Sequence, residues 1–264
     1  MKTRHLTALA LISLTALTGC SAVQETLDAA ATATAVGTPP ESTAEPNPTT
    51  AGAADQAVTG VNGPATALTP SSTPANLATA EEIATAKQLA ATLTVAHQDS
   101  SGYKRTEQFG EAWLDVDNNG CDTRNDILAR DLTNITVDNR CRVTTGTLND
   151  PYTGATINFK RGQGTSDKVQ IDHIVALNEA WGSGANQWSQ EQRIAFANDP
   201  ANLIAADGPS NTSKGAKDAA QWAVPDNPAF TCTYLTRQVI LKNHYQLAVD
   251  KAEYAALNDG LASC

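Results

Sequence analysis

The sequence predicts an α+β domain in which a β-β-α unit is accompanied by additional helices and two disulfide bonds. Apolar residues recur at helical spacing near both ends of the region 79–264. Short strand-like segments separated by turn residues occupy its middle. Four cysteines fall within the same region, an even number that suits disulfide pairing.

The N-terminal helix and a second short helix are predicted at 81–93 and 124–132. The first has apolar residues at helical spacing and opens with two acids, which stabilise a helix start. Beyond Cys141 the composition changes to Thr and Val residues interrupted by turn residues. This pattern predicts short strands at 142–145 and 152–159.

The second half of the domain combines two strands with several helices. A strand at 169–175 carries Asp172 and His173 near its end. Ser189 as N-cap, with Gln192 three residues on, predicts a helix at 189–196. The remaining predicted elements are a strand at 202–206, a turn at 207–209, a helix entered at 211, and closing helices at 234–251 and 252–261.

Residues 1–20 have the features of a lipoprotein signal peptide. A basic start is followed at 6–17 by a run of apolar or small residues that is too short to span a bilayer as a mature helix. The letters LTGC, ending at Cys20, resemble a bacterial lipobox, which would place a lipid on Cys20. The alternative is plain secretion with cleavage near Cys20. We therefore expect an extracellular protein, anchored to the cell membrane through Cys20 or secreted.

The composition of residues 21–78 predicts a disordered tether. Ala, Thr, Pro, Ser and Gly dominate this segment, which contains no aromatic residue. Such a composition buries too little apolar surface to offset the entropy of ordering the chain. Residues 79–264 are enough for one domain with its own core.

The chain is acidic, with 28 Asp and Glu against 18 Lys and Arg and a net charge of -10. This balance argues against a protein that holds nucleic acid on a broad basic face. Cleavage of a polyanion is still compatible with it, because a metal ion and a local basic cluster can neutralise one phosphate. Affinity for such a substrate should then be modest and sensitive to salt.

Cysteine placement supports export to an oxidising compartment. With Cys20 set aside, the four remaining cysteines allow three pairings. We favour Cys121–Cys141 and Cys232–Cys264, because each pair lies within one local segment. A zinc site built from the same four residues is the competing interpretation, although the chain has no C-x-x-C spacing.

The predicted β-β-α unit carries the residue types of a one-metal phosphodiesterase. Asp172 and Asn211 offer a carboxylate and an amide oxygen, which suit a hard divalent cation. The imidazole of His173 can accept a proton from water near neutral pH. Lys214 can meet a phosphate as a point charge.

Five segments together resemble the HNH endonuclease family. The resemblance is greatest to secreted actinobacterial HNH proteins, whose domain is related to the C-terminal part of GmrSD-type restriction enzymes. It extends over about residues 100–250 and rests on Val169–Leu177, Asn202–Asp218, Gly120–Leu128, Asp150–Gly154 and Ala197–Pro200.

The resemblance implies a ββα-metal core and a role for each motif residue. His173 would be the general base that activates water. Asp172 and Asn211 would hold one divalent cation, Mg²⁺ or alternatively Mn²⁺. Asn202 would complete the catalytic motif by holding the loop or the base. The domain 79–264 is therefore expected to be HNH nuclease-like.

Phosphate contacts are assigned to Lys214 and Lys217, which lie at a helix start beside the expected metal. Arg124 is a further candidate for a phosphate or transition-state contact, the alternative being a structural ion pair. We expect a monomer that hydrolyses nucleic acid, with DNA favoured over RNA. The alternative function is a non-catalytic surface binding lipoprotein that keeps the nuclease scaffold and is stabilised by calcium.

A second motif resembles an EF-hand calcium loop. Acids, an amide and a glycine occupy loop positions one, three, five, six and twelve, which would supply a Ca²⁺ site. The last position is Asp where the loop usually has Glu, and no helix is predicted before it. Two alternatives to calcium binding are a disulfide-pinned turn and a segment that brings Arg124 to the metal. The residues are Asp115, Asp117, Asn119, Gly120 and Asp126.

Overall fold

A computed structural model describes residues 75–264, which form a mixed α+β domain. The predicted signal peptide 1–20 with Cys20, and tether residues 21–74, lie outside the described residues. The helices are α1 (Ala80–Ala90), α2 (Arg105–Phe109), α3 (Thr123–Asp131), α4 (Leu177–Gly182), α5 (Gln190–Ala197), α6 (Gly208–Lys214), α7 (Pro228–His244) and α8 (Lys251–Ala262). The strands are β1 (Thr133–Val137), β2 (Val143–Asn149), β3 (Thr156–Lys160), β4 (Val169–His173) and β5 (Leu203–Asp207).

Two small antiparallel sheets organise the domain. One has the order β1-β2-β3, and the other pairs β4 with β5. In the second sheet Asp172 lies opposite Ile204 and His173 opposite Leu203. Helix α6 follows β5 directly and contacts both strands. The strands and α6 therefore form a β-β-α unit with the Asp-His pair at the end of β4.

The β4–β5 sheet is buried on both faces, which places it at the centre of the fold. Successive residues of a strand point to opposite faces. Leu203 and Ala205 belong to a core beneath α3 and the first sheet. Ile204 and Ala206 belong to a larger core formed with the helices. The side chains at the end of β4 are thus held by packing from both sides.

Helix α6 begins three residues before the predicted entry at Asn211. Asp207 is the N-cap and its carboxylate accepts a hydrogen bond from the Ser210 amide at 2.9 Å. The predicted turn at 207–209 is therefore wrong, because proline is also compatible with the first turn of a helix. A β-carbon on Gly208 would lie 1.9 Å from the Asp167 carbonyl oxygen, so only glycine allows this approach.

The last residues assigned to the tether contact the domain. Ala75 packs against the larger core, and the Ala78 amide donates to Thr233 Oγ1 at 2.9 Å. Thr79 then caps α1 through a reciprocal pair of hydrogen bonds with Glu82. Residues 75 and 78, which the sequence assigned to the tether, thus contact the domain.

Both favoured disulfides are present. Cys121–Cys141 joins the loop before α3 to the turn between β1 and β2, and Cys232–Cys264 joins α7 to the second residue after α8. The zinc alternative is therefore wrong for these four cysteines. Within residues 75–264, no helix combines the length and apolar character needed to cross a membrane.

A buried ionic cluster links α4, α7 and α8. The ammonium of Lys242, which is fully buried, contacts the carboxylates of Glu179 and Glu253. Gln98 donates a hydrogen bond to Glu253 at 3.3 Å and another to Ser183 at 3.0 Å. Two carboxylates share one cation here, so full ionisation leaves a net negative charge in the core.

Replacing Glu253 with glutamine is expected to flatten the pH dependence of stability. Burial raises the pKa of Glu253 to about 8 from 4.5. Between these values the folded state keeps a proton that the unfolded state has released, so the free energy of unfolding falls as pH rises from about 4.5 to about 8. Urea unfolding at both ends of this interval should show a smaller loss in E253Q than in the wild type. Glu111→Gln, which removes an exposed carboxylate, is the control. Equal losses of stability in E253Q and the wild type would contradict the raised pKa of Glu253.

Candidate functional site

A cavity of about 300 Å³ opens beside the end of β4. It brings together Asp172, His173 and Asn211, the three residues from which the sequence predicts the metal and the base. Arg105 from α2 and Asn178 from α4 also line it. Residues from four separate elements thus meet at one solvent-accessible point.

Both carboxylate oxygens of Asp172 are held by side chains from other elements. Oδ2 accepts a hydrogen bond from the Tyr152 hydroxyl at 2.6 Å, and Oδ1 contacts Lys214 Nζ at 3.1 Å. The residue is only 3% exposed. Each carboxylate oxygen has two lone-pair positions, so each can accept one internal bond and still face a ligand. The arrangement fixes the carboxylate without saturating it.

Tyr152 is a supporting residue that explains the Asp150-Pro-Tyr-Thr-Gly motif. Asp150 anchors this turn by accepting hydrogen bonds from the Thr153 amide at 2.7 Å and the Asp207 amide at 2.8 Å. The turn places the fully buried Tyr152 ring beneath Asp172. Burial and the nearby carboxylate raise the pKa of Tyr152, so its hydroxyl remains a donor.

Lys214 faces inward, contrary to its predicted role as a phosphate contact. Its side chain is 0% exposed, and Nζ donates to the His173 carbonyl at 2.7 Å as well as to Asp172. The last turn of α6 packs against β4, which directs the lysine beneath the site. Lys217 is exposed and donates to the Ser213 carbonyl at 2.7 Å, and it does not line the cavity.

His173 is oriented by a single hydrogen bond. Its Nε2 lies 2.9 Å from the Ala197 carbonyl oxygen. A carbonyl can only accept, so Nε2 carries the proton and Nδ1 of the neutral ring keeps its lone pair. Burial, together with the smaller effect of the charges of Arg105 and Lys214, lowers the pKa of His173 to about 3. The ring is therefore neutral near pH 7, as a proton acceptor must be.

Asn202 holds the segment that follows β4. Its side-chain oxygen accepts from the Val175 amide at 2.9 Å, and its nitrogen donates to the Val175 carbonyl at 3.1 Å. Asn202 is 0% exposed and does not line the cavity. Its contacts are those of a positioning residue, so the structure does not support grouping it with the catalytic side chains.

Asn211 and Asn178 line the cavity with amide side chains. The Asn211 nitrogen donates to Gln170 Oε1 at 2.8 Å, and its oxygen makes no hydrogen bond to any residue in 75–264. The Asn178 side-chain oxygen is buried and also lacks a partner there. With Asp172, the cavity lining therefore includes one carboxylate and two amide side chains. Mg²⁺ is usually held by one or two carboxylates together with water and phosphate oxygens, so this donor set fits such an ion.

The donor set contains one carboxylate only. No group of three or more His, Cys, Asp or Glu side chains in the described part of the chain has a geometry that could hold a metal ion. The charge of Lys214 also offsets that of Asp172. Any cation here would consequently depend on oxygens of a bound phosphate.

Arg124 lies away from the cavity. Its guanidinium donates to the Val169 carbonyl at 3.1 Å, at the start of β4. Four residues of strand, roughly 13 Å, separate this contact from His173. The structure therefore does not bring Arg124 to the cavity, because α3 packs beside the far end of the strand.

The EF-hand-like segment forms an exposed turn next to the Cys121–Cys141 disulfide. Asn119 donates to Asp117 at 3.0 Å and to Asp126 at 3.2 Å, and the Gly120 amide donates to Asp115 at 3.0 Å. The four predicted ligands are thus close together and bonded to one another. These contacts fit the alternative of a disulfide-pinned turn, and calcium binding stays a prediction.

An Arg-Trp-His stack beside the cavity adds Arg105 and Trp113, which the sequence did not predict as site residues, to the predicted His173. Trp113 lies nearly parallel to His173, with ring centroids 6.3 Å apart and an interplanar angle of 17°. The Arg105 guanidinium lies 6.0 Å from the Trp113 centroid. Trp113 has a φ of 63°, a left-handed conformation that is costly for a bulky residue. No local pattern marks these residues, because α2 has only five residues and the stack forms through tertiary packing.

Comparison with known proteins identifies the family to which the domain is similar. Residues 122–259 match the family model of the C-terminal domain of GmrSD restriction endonucleases. The chain is 38% identical over 198 residues to an uncharacterized secreted protein of Arthroderma benhamiae, covering 74% of this chain and 91% of that protein. No solved structure matches. The matched region contains both strands and the helix of the β-β-α unit, and the chain belongs to the family of the GmrSD restriction endonuclease C-terminal domain.

Proposed function

We propose that this protein is an extracellular HNH endonuclease that hydrolyses phosphodiester bonds at the cavity beside β4. The observation that carries the proposal is that His173 lines the same cavity as Asp172 and Asn211, while its Nδ1 makes no hydrogen bond with any residue in 75–264. Membership of an endonuclease domain family supports the reaction class. The ββα-metal character of the core is part of the proposal.

In the proposed reaction, His173 Nδ1 accepts a proton from water as the water oxygen bonds to phosphorus. The opposite P–O ester bond breaks with its electron pair on the leaving oxygen, which takes a proton from solvent. Asp172 and Asn211, with Asn178 in support, would hold one Mg²⁺ or Mn²⁺. Such an ion would act as a Lewis acid on the phosphate and the leaving oxygen.

Substrate binding strengthens His173 as a base. Burial lowers its pKa to about 3 in the free protein, which makes a weak proton acceptor. A bound phosphate brings negative charge next to the imidazole and favours its protonated form, so it raises the pKa of His173. The base is thus strongest when the substrate is in place.

Three observations support action outside the cell. The N-terminal sequence resembles a lipoprotein signal. Two disulfides suit an oxidising compartment. The related protein of A. benhamiae is described as secreted. Anchoring to the membrane by a lipid on Cys20 belongs to the same proposal.

Chelation should abolish the activity of the purified protein. Supercoiled plasmid incubated with Mg²⁺ is expected to be nicked, EDTA to stop the reaction, and excess Mg²⁺ or Mn²⁺ to restore it. Single-stranded DNA and RNA assayed in parallel define the substrate, with DNA expected to be cleaved faster. Failure to cleave any of these with either metal would overturn the proposal and favour a non-catalytic surface binding protein.

A further inference from the structure

The proposed cavity needs a positive charge that the predicted residues do not supply. Hydrolysis adds negative charge to the phosphate oxygens in the transition state. Lys214 is buried and neutralised by Asp172, whereas Lys217 and Arg124 lie outside the cavity. Among the described residues, Arg105 is the one Lys or Arg that lines it.

Arg105 is exposed and available to a ligand. It begins α2 and makes no ion pair with any acid in residues 75–264. Its neighbour Lys104 is instead paired with Glu107 at 3.1 Å. Arg105 and His173 line the same cavity, and the guanidinium and the imidazole both meet the ring of Trp113. An unpaired guanidinium therefore lies close to the proposed base.

The ring of Trp113 fixes the relation between the cation and the base. One side of the stack is His173, at a centroid distance of 6.3 Å, and Arg105 approaches the same indole at 6.0 Å. A cation over an indole face is attracted by the negative electrostatic potential of the ring. The left-handed φ of Trp113 shows that the backbone accepts a costly conformation at this point.

We infer that Arg105 is a catalytic residue that binds non-bridging oxygens of the scissile phosphate, an inference that rests on the proposed function. Its guanidinium presents two parallel N–H donors, which match a pair of phosphate oxygens better than an ammonium does. The contact strengthens as charge accumulates on those oxygens, so it lowers the barrier as well as aiding binding. Trp113 acts as a positioning residue for Arg105 and His173.

Arg105→Ala should lower kcat/KM by about 10²–10³-fold, mostly through kcat, as loss of one transition-state donor does. Arg105→Lys should recover part of the rate, and added guanidinium should partly rescue R105A. The matched control is Lys104→Ala, which removes the adjacent exposed cation and should change the rate by about twofold or less. The slope of log KM against log salt concentration should fall in R105A by the amount that corresponds to about one phosphate contact. In R105K this slope should be unchanged.

The outcomes separate this inference from the proposed function. If the wild type cleaves, His173→Gln is inactive and R105A matches K104A, the inference is overturned while the function stands. A rate loss in R105A and R105K with a lowered melting temperature and no guanidinium rescue would also overturn it, since that is a structural defect. A wild type that cleaves no nucleic acid would overturn both.

Discussion

Replacing His173 with alanine is expected to slow phosphodiester cleavage by about 10²–10⁴-fold, the usual contribution of a positioned general base. The imidazole suits proton abstraction, because Nε2 is committed to the Ala197 carbonyl and Nδ1 makes no hydrogen bond with any other residue of the described region 75–264. The loss should appear in kcat, since a neutral ring adds little to binding a phosphate. Initial rates of plasmid nicking at saturating Mg²⁺ measure the effect.

Two variants separate chemistry from folding. His173→Gln keeps an amide donor that can reach the Ala197 carbonyl but removes the base, so it should be stable and inactive. His244→Ala removes an exposed histidine that does not line the site cavity and should retain full activity. If H173Q cleaves at the wild-type rate, His173 is not the base.

The fold could be predicted from sequence where local signals decide the structure. Ser189 and Gln192 form the expected capping box at α5, and the strand carrying Asp172 and His173 is present. The predicted helix at 234–251 is wrong by six residues at its start and seven at its end, since α7 spans Pro228–His244. Its buried positions include Gln238 and Lys242, so apolar spacing does not mark the helix boundaries.

Strand β1 and helices α2 and α4 had no usable signal. All five residues of β1 are exposed, so it lacks the alternation that identifies a half-buried strand. Helices α2 and α4 have five and six residues, too short for helical periodicity to emerge. Their positions are set by tertiary packing rather than by propensity.

The candidate site, like the fold, could be predicted from the sequence only in part. The order of motif residues was enough to bring Asp172, His173 and Asn211 to one cavity. It could not predict which way a lysine points, because that depends on whether its helix face meets solvent or β4. Lys214 and Lys217 lie three residues apart, yet one is fully buried and the other exposed.

Lys214→Met should therefore act on stability first. Lys214 and Asp172 are 0% and 3% exposed, and their side chains meet at 3.1 Å. Removing one partner of a buried ion pair leaves an uncompensated charge and costs about 3–5 kcal/mol. For a domain of this size the melting temperature should fall by roughly 10 °C, measurable by circular dichroism. Lys217→Met, the exposed neighbour, should melt within about one degree of the wild type.

The double variant Asp172→Asn with Lys214→Met tests whether the unpaired charge is the cause. An asparagine keeps an acceptor for Tyr152 and carries no charge, so most of the lost stability should return. Nuclease activity should not return, because the proposed metal ligand is gone. If K214M instead melts like the wild type and only loses activity, the lysine does not stabilise a buried carboxylate. It would then act on the substrate, as the sequence alone had indicated.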